Sequence, residues 1–315
     1  MSQTQFTEDL LDDIKLRSFA PISQDTFSDE KLLKLATDEL RLYVAPLIMS
    51  SRENFFLSYQ DDLIVKDKKF YPIAERALGN ALKTIKVLDA SEREMMTLER
   101  TALGFSEEHG HSGSLSHFIL QGDKIRMMPV PHKTQYTLRQ YYFTNPSKLV
   151  RTTECAKITG VTETSTTVIL GVDNDISDYI NDGGLVDVQN GQSPYLLWAK
   201  DLNPHLADAN SITLVKSDVV GGDGSVLPGV GDYICPAYET NIPQIPDVYH
   251  SVLAQRVAVV LLNSLGDRKK WETAKADLSE MEMNAGKLIA NRVESQPQKI
   301  RQRNTILNSI SRWRL

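Results

Sequence analysis

The chain has 315 residues, of which 41% are hydrophobic and 24% are charged, a composition typical of globular proteins that excludes wholesale disorder. The formal net charge of −6 argues against a general nucleic-acid coat protein, which needs an excess of Lys and Arg to neutralise phosphates. The N-terminal stretch MSQTQFTEDLLDDIKLRSF has acidic residues where a signal or transit peptide has basic ones. We therefore expect a protein that is made in the cytoplasm and is used there or packaged from it.

The first third of the chain predicts helices. SDEKLLKLATDELRLYVAPLIM has a capping residue, Ser28, and a broad apolar stripe, but Pro46 should kink this helix before a second piece that continues through Phe55 to Leu57. YPIAERALGNALKTIKVL predicts another helix, with Pro72 in its first turn, and a short helix should follow near Arg93 to Thr101. The apolar face of the YPIAER helix consists of Ile73, Ala77, Leu78, Ala81, Leu82 and Ile85.

The middle of the chain has a β pattern. SHFILQGDKIRMMPVPHKTQYTLRQYYF alternates around a Gln-Gly-Asp turn and continues into a strand from Thr134 to Phe143, which predicts a small antiparallel meander. From Val150 to Pro236, β-branched runs such as ITGVTETSTTVILGV are separated by Gly-rich and Asp-rich turns. This region is predicted to be a β-rich domain.

A strongly apolar helix is predicted in IPQIPDVYHSVLAQRVAVVLLNSLGD. Pro243 and Pro246 fix the backbone before its start, Asp247 suits its first turn, and Gly266 stands where it should end. The uninterrupted apolar run 257–262 is too short to cross a membrane. Since apolar residues occupy several faces, the helix must be covered by the chain's own core, by a second copy of the chain, or by both.

The C-terminal segment predicts one more helix and a basic arm. Trp271, Ala274, Leu278, Met281, Ala285 and Leu288 form a one-sided stripe that suits packing on the preceding helix as a hairpin. The final stretch ESQPQKIRQRNTILNSISRWRL has five Lys or Arg residues and no acidic residue after Glu294. We therefore treat the end of the chain as a segment separate from the hairpin.

Together these patterns predict an α+β fold. A helical bundle core is expected from the N-terminal and C-terminal segments, with a small β meander and an inserted β-rich domain. The predicted boundaries are residues 1–149 for the first part of the core with the meander, 150–236 for the insertion, and 237–315 for the helical hairpin and the basic arm. Cys155 and Cys235 bracket the insertion and are too few for a disulfide scaffold, so we expect buried free thiols.

Signatures of enzymes and of metal or cofactor sites were not found. The chain lacks a phosphate-binding G-x-x-x-x-G-K-[ST] loop, a dinucleotide-binding G-x-G-x-x-G and a G-x-S-x-G elbow. HGHSGSLSH, with His109, His111 and His117, has residues that bind zinc, but a flexible polar turn explains it as well. DNDISDYINDGG lacks the glycine and glutamate of a calcium loop at the required places, and is interpreted as a solvated acidic loop. We predict a protein that is not an enzyme and has no cofactor or bound metal.

The order of these segments resembles a known family. DLLDDIKLRSFAPISQDTFSDEKLLKLATDELRLYVAPLIMSSRENFF, YPIAERALGNALKTI, TLRQYYFTNPSKLV, the apolar helix, and AKADLSEMEMNAGKLIANRVESQPQKI are similar to segments of head-tail adaptors, or connectors, of tailed bacteriophages. The resemblance covers nearly the whole chain and is weakest in the β-rich region. It implies a structural protein that forms a ring, commonly of about twelve copies, between the portal protein of the capsid and the tail.

The resemblance also implies roles for particular residues. In a virion neck assembled in the host cytoplasm, DNA would pass through the ring without specific binding, no membrane would be involved, and acidic loops would repel phosphate. The expected channel-facing loop consists of Asp173, Asp175, Asp178 and Asp182. The expected interface between subunits consists of Tyr249, Val252, Val259 and Leu262 on the apolar helix. The expected arm that docks on the portal protein consists of Lys299, Arg301, Arg303, Arg312, Trp313 and Arg314.

Three alternatives to the adaptor stay open from the sequence. The chain could be another neck or tail-completion protein, such as a stopper or a nozzle subunit, which would differ in the neighbour it touches. The β-rich region could also be a binding module for a tail protein or a glycan, although its aromatic residues are sparse. A hydrolase is a third possibility, but it has no identifiable nucleophile or acid–base pair.

Overall fold

The chain folds mainly into β-sheet. A computed structural model describes residues 5–18, 27–101, 115–134, 136–191, 197–204, 206–208, 210–219 and 227–289. In these ranges two curled sheets of seven strands each resemble half-barrels, a third sheet has two strands, and the longer helices form a separate layer. The predicted fold class, a helical bundle core with a small meander, is therefore wrong.

The first large sheet is built from the region in which helices were expected. Its strand order is β1-β7-β3-β4-β5-β6-β2, and neighbours are antiparallel except for the parallel pair β4–β5. The hairpin expected at the Gln-Gly-Asp turn is present as β5–β6, with Gly122 in a left-handed conformation at φ 63°. The strands are β1 Leu57–Leu63, β2 Phe70–Pro72, β3 Ala77–Leu88, β4 Glu94–Arg100, β5 His117–Gln121, β6 Lys124–Met128 and β7 Thr137–Thr144.

Two predicted helices of this region are strands. The segment read as a helix after Pro72 is β3, and the one near Arg93 to Thr101 is β4. Gly79 and Asn80 both take left-handed conformations, at φ 57° and 58°, where the pairing of β3 with β7 changes register. Beyond this bulge, side chains alternate between the two faces of the sheet, as in any β-strand. Ile85 and Val87 are therefore buried, whereas the intervening Lys86 is partly exposed.

The second large sheet lies between residues 156 and 236. Its strand order is β12-β11-β15-β9-β10-β14-β13, and its buried side chains form one apolar cluster that includes Ile158, Val168 and Ile234. The strands are β9 Ala156–Glu163, β10 Thr167–Val172, β11 Val186–Gln189, β12 Leu197–Leu202, β13 Leu206–Asp208, β14 Ser211–Val215 and β15 Tyr233–Pro236. Two short helices, α4 Ser177–Asn181 and α5 Lys216–Val219, lie between these strands along the chain.

The cysteines that bracket this sheet are bonded to each other. Cys155, next to the start of β9, and Cys235 on β15 form a disulfide, so the expectation of free thiols is wrong. Because β9 and β15 are hydrogen-bonded neighbours, the two positions meet across the sheet although they are 80 residues apart in sequence. The small third sheet consists of two parallel strands, β8 Lys148–Leu149 and β16 Glu239–Thr240. It pairs the segment that precedes the second large sheet with the segment that follows it.

The helical layer combines both ends of the chain. Its buried residues form one cluster that extends from Leu10 to Ile48 and from Ile245 to Ala285. A π-helical turn at Leu40–Val44 precedes Pro46, and the helix after it ends at Ser51 instead of continuing to Leu57. The helices are α1 Thr7–Ser18, α2 Asp29–Glu39, α3 Ala45–Ser51, α6 His250–Ser264 and α7 Arg268–Ile289.

The apolar helix of the sequence analysis is α6. A short 3-10 turn from Asp247 precedes it, Gly266 follows it in a left-handed conformation at φ 74°, and α1, α2 and α7 all pack on it. The predicted helix and its end signals are therefore confirmed. Among the helices of the described ranges, none has the length and apolar composition needed to cross a bilayer.

Candidate functional site

A buried ion network joins the two large sheets. Arg76, just before β3, donates from Nε and Nη2 to the two carboxylate oxygens of Asp201 on β12, at 2.9 and 2.6 Å. The same Nη2 donates to Asp187 Oδ1 on β11 at 2.8 Å. The side chains of Arg76 and Asp187 are only 5% and 1% exposed, whereas Asp201 is 36% exposed. One guanidinium of the first sheet therefore neutralises two carboxylates of the second.

The backbone around the network is fixed as well. The N–H groups of Asp201 and Tyr238 donate to Asp187 at 3.0 and 3.1 Å. Both donor residues have left-handed backbones, with φ of 53° and 66°, which cost roughly 1 kcal/mol or more for a residue with a Cβ. The Tyr238 ring lies 4.1 Å from the Arg76 guanidinium carbon, and its hydroxyl donates to Glu75 at 3.0 Å. Interactions with the network offset this backbone cost.

Burial shifts the protonation of these groups. Burial raises the pKa of the Asp187 carboxyl, and the charge of Arg76 opposes that shift. Burial alone would lower the pKa of Arg76, but the hydrogen bonds and ion pairs of Arg76 with Asp201 and Asp187 raise this pKa above the ordinary value. We take the pair as ionised, since Asp187 also accepts two backbone hydrogen bonds. Burial together with the hydrogen bond to Glu75 raises the pKa of Tyr238 to about 12.

A second polar contact crosses between the sheets nearby. Lys200 on β12 donates from Nζ to Ser58 Oγ on β1 at 2.8 Å. Burial lowers the pKa of Lys200, and the positive charge of Arg76 adds to this effect. Since Arg76 is paired with Asp187 and Asp201 and Lys200 donates to Ser58 on the other sheet, the junction is suited to holding the two sheets in one orientation.

No local sequence pattern predicts this network, because its members are far apart in the chain. Arg76 lay in a segment read as a helix, and it is separated from Asp187 and Asp201 by 111 and 125 residues. One weak signal was available, since Asp187 stands between Val186 and Val188 in a β-branched run, and the structure shows that all of β11 is buried. A buried carboxylate in such a strand requires a partner.

The predicted acidic loop is exposed in the structure. Asp173 accepts a hydrogen bond from the backbone N–H of Lys157, and Asp175 accepts one from the N–H of Ser177. The side-chain hydrogen bond with Ser177 lowers the pKa of Asp175. Asp178 and Asp182 are exposed on and directly after α4. The four carboxylates thus lie on and around α4 and are all exposed.

The predicted interface residues of the apolar helix mostly face the interior. Tyr249, Val252 and Leu262 are at most 2% exposed and are covered by the chain's own residues, whereas Val259 is half-buried. An interface between subunits through Tyr249 and Val252 would require opening the core, whereas Val259 is half-buried and Leu262 lines a groove at the surface. The predicted docking arm, Lys299, Arg301, Arg303, Arg312, Trp313 and Arg314, lies outside the described residues.

An acidic cleft opens beside the first half of α1. It has a volume of about 730 Å³, and Phe6 and Tyr233 line it with their rings packed edge to face, 5.6 Å apart. Three carboxylates of α1 also line it, at the i, i+3 and i+4 positions that share a helix face, namely Asp9, Asp12 and Asp13, with Lys157 as its single basic residue. Val230, 71% exposed, is adjacent in sequence to a lining residue, Gly231. We call this surface the acidic cleft.

A groove of the opposite charge lies at the other end of α1. It has a volume of about 470 Å³ and is lined by Arg17, Lys269 and Lys270, with Leu262 and Ala274 among its apolar residues and Asp277 as its single acidic residue. Arg17 also donates to Gln255 on α6 at 2.9 Å. Leu16, which precedes the lining residue Arg17 in sequence, is 73% exposed, and Leu265, in the turn between α6 and α7, is 46% exposed. We call this surface the basic groove.

Within the described ranges, no three His, Cys, Asp or Glu side chains are grouped so that they could hold a metal ion. His109 and His111 of the Gly/Ser-rich turn lie outside those ranges, and His117 begins β5. No protein-family model matches the chain, and no curated protein matches it significantly.

Proposed function

We propose that the chain is a structural virion protein of a tailed bacteriophage. As a head-tail adaptor, about twelve copies form a ring that joins the portal protein to the tail and continues the DNA channel. Its role is architectural and involves no catalysis. Subunits are assembled in the host cytoplasm and end up in the neck of the virion, where DNA passes through the ring during genome ejection.

One observation carries this proposal. The first and last segments that resemble head-tail adaptors, near both ends of the chain, fold against each other in one helical layer. Thr7 Oγ1 of α1 donates to the carbonyl oxygen of Val150 at 2.7 Å, and the Thr7 N–H donates to the Asn241 carbonyl at 3.0 Å. The two end segments of the resemblance therefore belong to one packed unit, whereas YPIAERALGNALKTI and TLRQYYFTNPSKLV contribute to the first sheet.

The electrostatics of the chain are compatible with a DNA conduit. A net charge of −6 and the exposed loop with Asp173, Asp175, Asp178 and Asp182 would keep phosphates from adhering. Screening by salt limits this repulsion to about 10 Å at 0.1 M ionic strength, so it acts only near the wall. In this proposal the basic arm from Lys299 to Arg314 docks on the portal protein.

The proposal is tested by the mass of the assembled protein. Purified full-length chain is measured by light scattering and negative-stain imaging, alone and mixed with rings of the portal protein encoded in the same genome. A closed ring, either alone or on the portal, is the expected result. A chain that stays monomeric and ignores portal rings would refute the adaptor function. Truncation after Gln296 should weaken attachment to the portal while leaving the helical layer folded.

A second candidate function is a binding module for a tail protein or a glycan. It is favoured by an exposed aromatic surface on the first sheet, where Tyr59 and Tyr141 are directly paired across β1 and β7 with ring centroids 6.0 Å apart. The guanidinium of Arg139 stacks on Tyr59 at 4.3 Å, and Lys86 lies 5.6 Å from Tyr141. Tyr59→Ser with Tyr141→Ser should abolish binding to tail proteins or to a glycan array if this function is correct, and portal attachment should then be unchanged.

A further inference from the structure

We propose that the end of the chain, residues 304–315, binds as an added strand along the free edge of β1 in the same subunit. Tyr59, Asp61 and Leu63 supply the backbone groups for this pairing, and we call them the edge residues. The inference goes beyond the adaptor function and does not depend on it. If the basic arm docks on the portal protein, that docking has to displace the added strand from β1.

One side of β1 has open backbone groups. The strand is the outermost one of the first sheet and pairs only with β7. Directly after it, and in the same register, the N–H of Ile64 donates to the carbonyl oxygen of Tyr136 at 2.8 Å. Because hydrogen bonding alternates along antiparallel strands, the N–H and C=O groups of the edge residues point away from β7. Among the described residues, none hydrogen-bonds to these outward groups.

The other edges of the two large sheets are short or irregular. The outer strands β2 and β13 have three residues each, and β2 ends at Pro72. The outer strand β12 contains Asp201 in a left-handed conformation, shifts its register against β11, and has α5 packed beside it. In contrast, β1 keeps seven residues in unbroken register with β7. Since an open sheet edge recruits further strands, proteins shorten, bend or cover their edges, and this one is neither short nor bent.

Large apolar side chains lie along this edge. Tyr59 and Leu63 are 49% and 60% exposed, and Val65, shortly after the strand, is 40% exposed. The charge of Asp61 is offset by Arg139, which donates to both carboxylate oxygens at 2.8 and 2.6 Å. Edges that stay open in native proteins carry charges that prevent pairing, whereas β1 offers apolar side chains beside open backbone groups. This combination suits recognition by strand addition.

The chain itself supplies the nearest candidate for the added strand. Gly286, near the end of α7, lies against Ser51, the last residue of α3, and β1 begins shortly afterwards at Leu57. Residues 290–303 reach about 46 Å when extended, roughly twice the length of β1, which is about 24 Å. They can therefore pass along β1 and let residues 304–315 return beside it. A strand tethered in this way has an effective concentration of about 1 mM, so it competes well against strands of other copies.

The sequence of residues 304–315 fits an edge strand. NTILNSISRWRL has no Pro, Gly or acidic residue, and it includes residues that favour strands. In an antiparallel register three favourable pairs form: Leu63 with Ile310, Asp61 with Arg312, and Tyr59 with Arg314. They combine an apolar contact, an opposite-charge pair and an Arg beside an aromatic ring. The carboxylate of Asp61 is 36% exposed, so it can accept Arg312 in addition to Arg139.

Hydrogen exchange of the free subunit tests the proposal. Full-length chain and a variant truncated after Arg303 are compared without portal protein, by NMR or by mass spectrometry that resolves single amides. The N–H groups of the edge residues should exchange at least about tenfold more slowly in the full-length chain. The N–H groups of Gln60 and Asp62 face β7 and should be equally protected in both, which shows that the sheet stays folded. Rapid exchange at the edge residues of the full-length chain would overturn the proposal.

A charge reversal tests the register. Arg312→Glu places a like charge opposite Asp61 and should reduce the protection of the edge residues severalfold. Arg303→Glu is a matched control, because it changes the net charge equally in the linking segment, and it should leave the protection unchanged. Equal loss of protection in both variants would overturn the proposed pairing.

A mixing experiment identifies the source of the strand. The truncated chain, labelled with stable isotopes, is mixed with unlabelled full-length chain, and exchange is read in the labelled chain alone. Its edge residues should stay unprotected, since each arm binds its own subunit. Recovered protection would assign the strand to a neighbouring copy and overturn binding within one subunit. These measurements use no portal rings, so their failure leaves the adaptor function to its own assembly test.

Discussion

Replacing Arg76 with Met should be among the most damaging single changes in this chain. The substitution keeps much of the side-chain length but leaves Asp187, which is 1% exposed, without its ionic partner. Removing one member of a buried ion pair costs about 3–5 kcal/mol, because the remaining charge stays desolvated. Two backbone hydrogen bonds to Asp187 persist, from Asp201 and Tyr238, so we expect the lower part of that range, about 3 kcal/mol.

The chain provides a closely matched control in Arg139. Its guanidinium also binds one carboxylate through two bonds, to Asp61 at 2.8 and 2.6 Å, and also stacks on a tyrosine ring, at 4.3 Å from Tyr59. The difference is exposure, since Asp61 is 36% exposed and the second carboxylate near Arg139, Glu92 at 3.6 Å, is 79% exposed. Arg139→Met should therefore cost about 1 kcal/mol or less.

Urea unfolding followed by circular dichroism and tryptophan fluorescence measures both variants under the same conditions. Hydrogen exchange read by mass spectrometry then shows whether protection is lost first in β11 and β12, where Asp187 and Asp201 lie. A double change, Arg76→Met with Asp187→Asn, should recover part of the loss, because no buried charge is then left unpaired. Equal destabilisation by Arg76→Met and Arg139→Met would refute the assignment of a buried ion network.

Three further changes test other parts of the structure. Burial lowers the pKa of His250, which is 3% exposed, so its imidazole takes up a proton more readily in the unfolded chain than in the folded one. The free energy of unfolding should therefore decrease as the pH falls below about 6.5. His250→Gln should reduce this pH dependence in urea titrations between pH 7 and 5. Gly191→Ala should destabilise by about 2 kcal/mol or more, measured by thermal melting, because its Cβ would collide with the carbonyl oxygen of Gly231; a melting temperature equal to that of the original chain would contradict this close approach. Reduction of the Cys155–Cys235 bond, or replacement of both residues by Ala, should lower the free energy of unfolding by about 4–5 kcal/mol, because the bond closes a loop of 80 residues. Mass spectrometry under non-reducing conditions checks the bond before the comparison.

The sequence was informative where local signals agree with tertiary packing. Pro243, Pro246 and Gly266 bounded α6 correctly, since the chain must change direction at both ends of a helix that is buried over much of its surface. The Gln-Gly-Asp hairpin was found for the same reason, because Gly122 supplies the left-handed conformation that the turn needs.

The sequence misled where helical and strand periods overlap. In β3, Leu78, Leu82 and Ile85 have the spacing of a helix face, but the β-branched Ile85 and Val87 alternate inward once Gly79 and Asn80 form a bulge. The strand β3 pairs with β7, and most of the paired residues are more than 50 positions apart in the chain. A prediction from a short stretch of sequence does not include both strands. The error changed the fold class, because the first sheet was then reduced to a small meander.

Most of the candidate site was beyond sequence reasoning. Arg76, Asp187 and Asp201 become neighbours only through the meeting of two sheets, and no spacing rule connects them. The acidic residues of α1 were visible in DLLDDIKLRS as a poor match to a targeting signal, but their position beside Tyr233 required the fold. The burial of Tyr249, Val252 and Leu262 shows that an apolar helix can be covered over most of its surface by its own chain.

The Cys155–Cys235 bond sets the two points where the chain enters and leaves the second sheet side by side, with Cα atoms 4.5 Å apart. Tension applied between the chain ends would pass through this bond and bypass nearly everything between the two cysteines. The same gap is close to the roughly 3.8 Å that one peptide unit spans, so the backbone on either side could be rejoined directly. The segment is thus arranged as a cassette, which a single deletion or exchange in the gene could remove or replace while the path of the remaining chain stays the same.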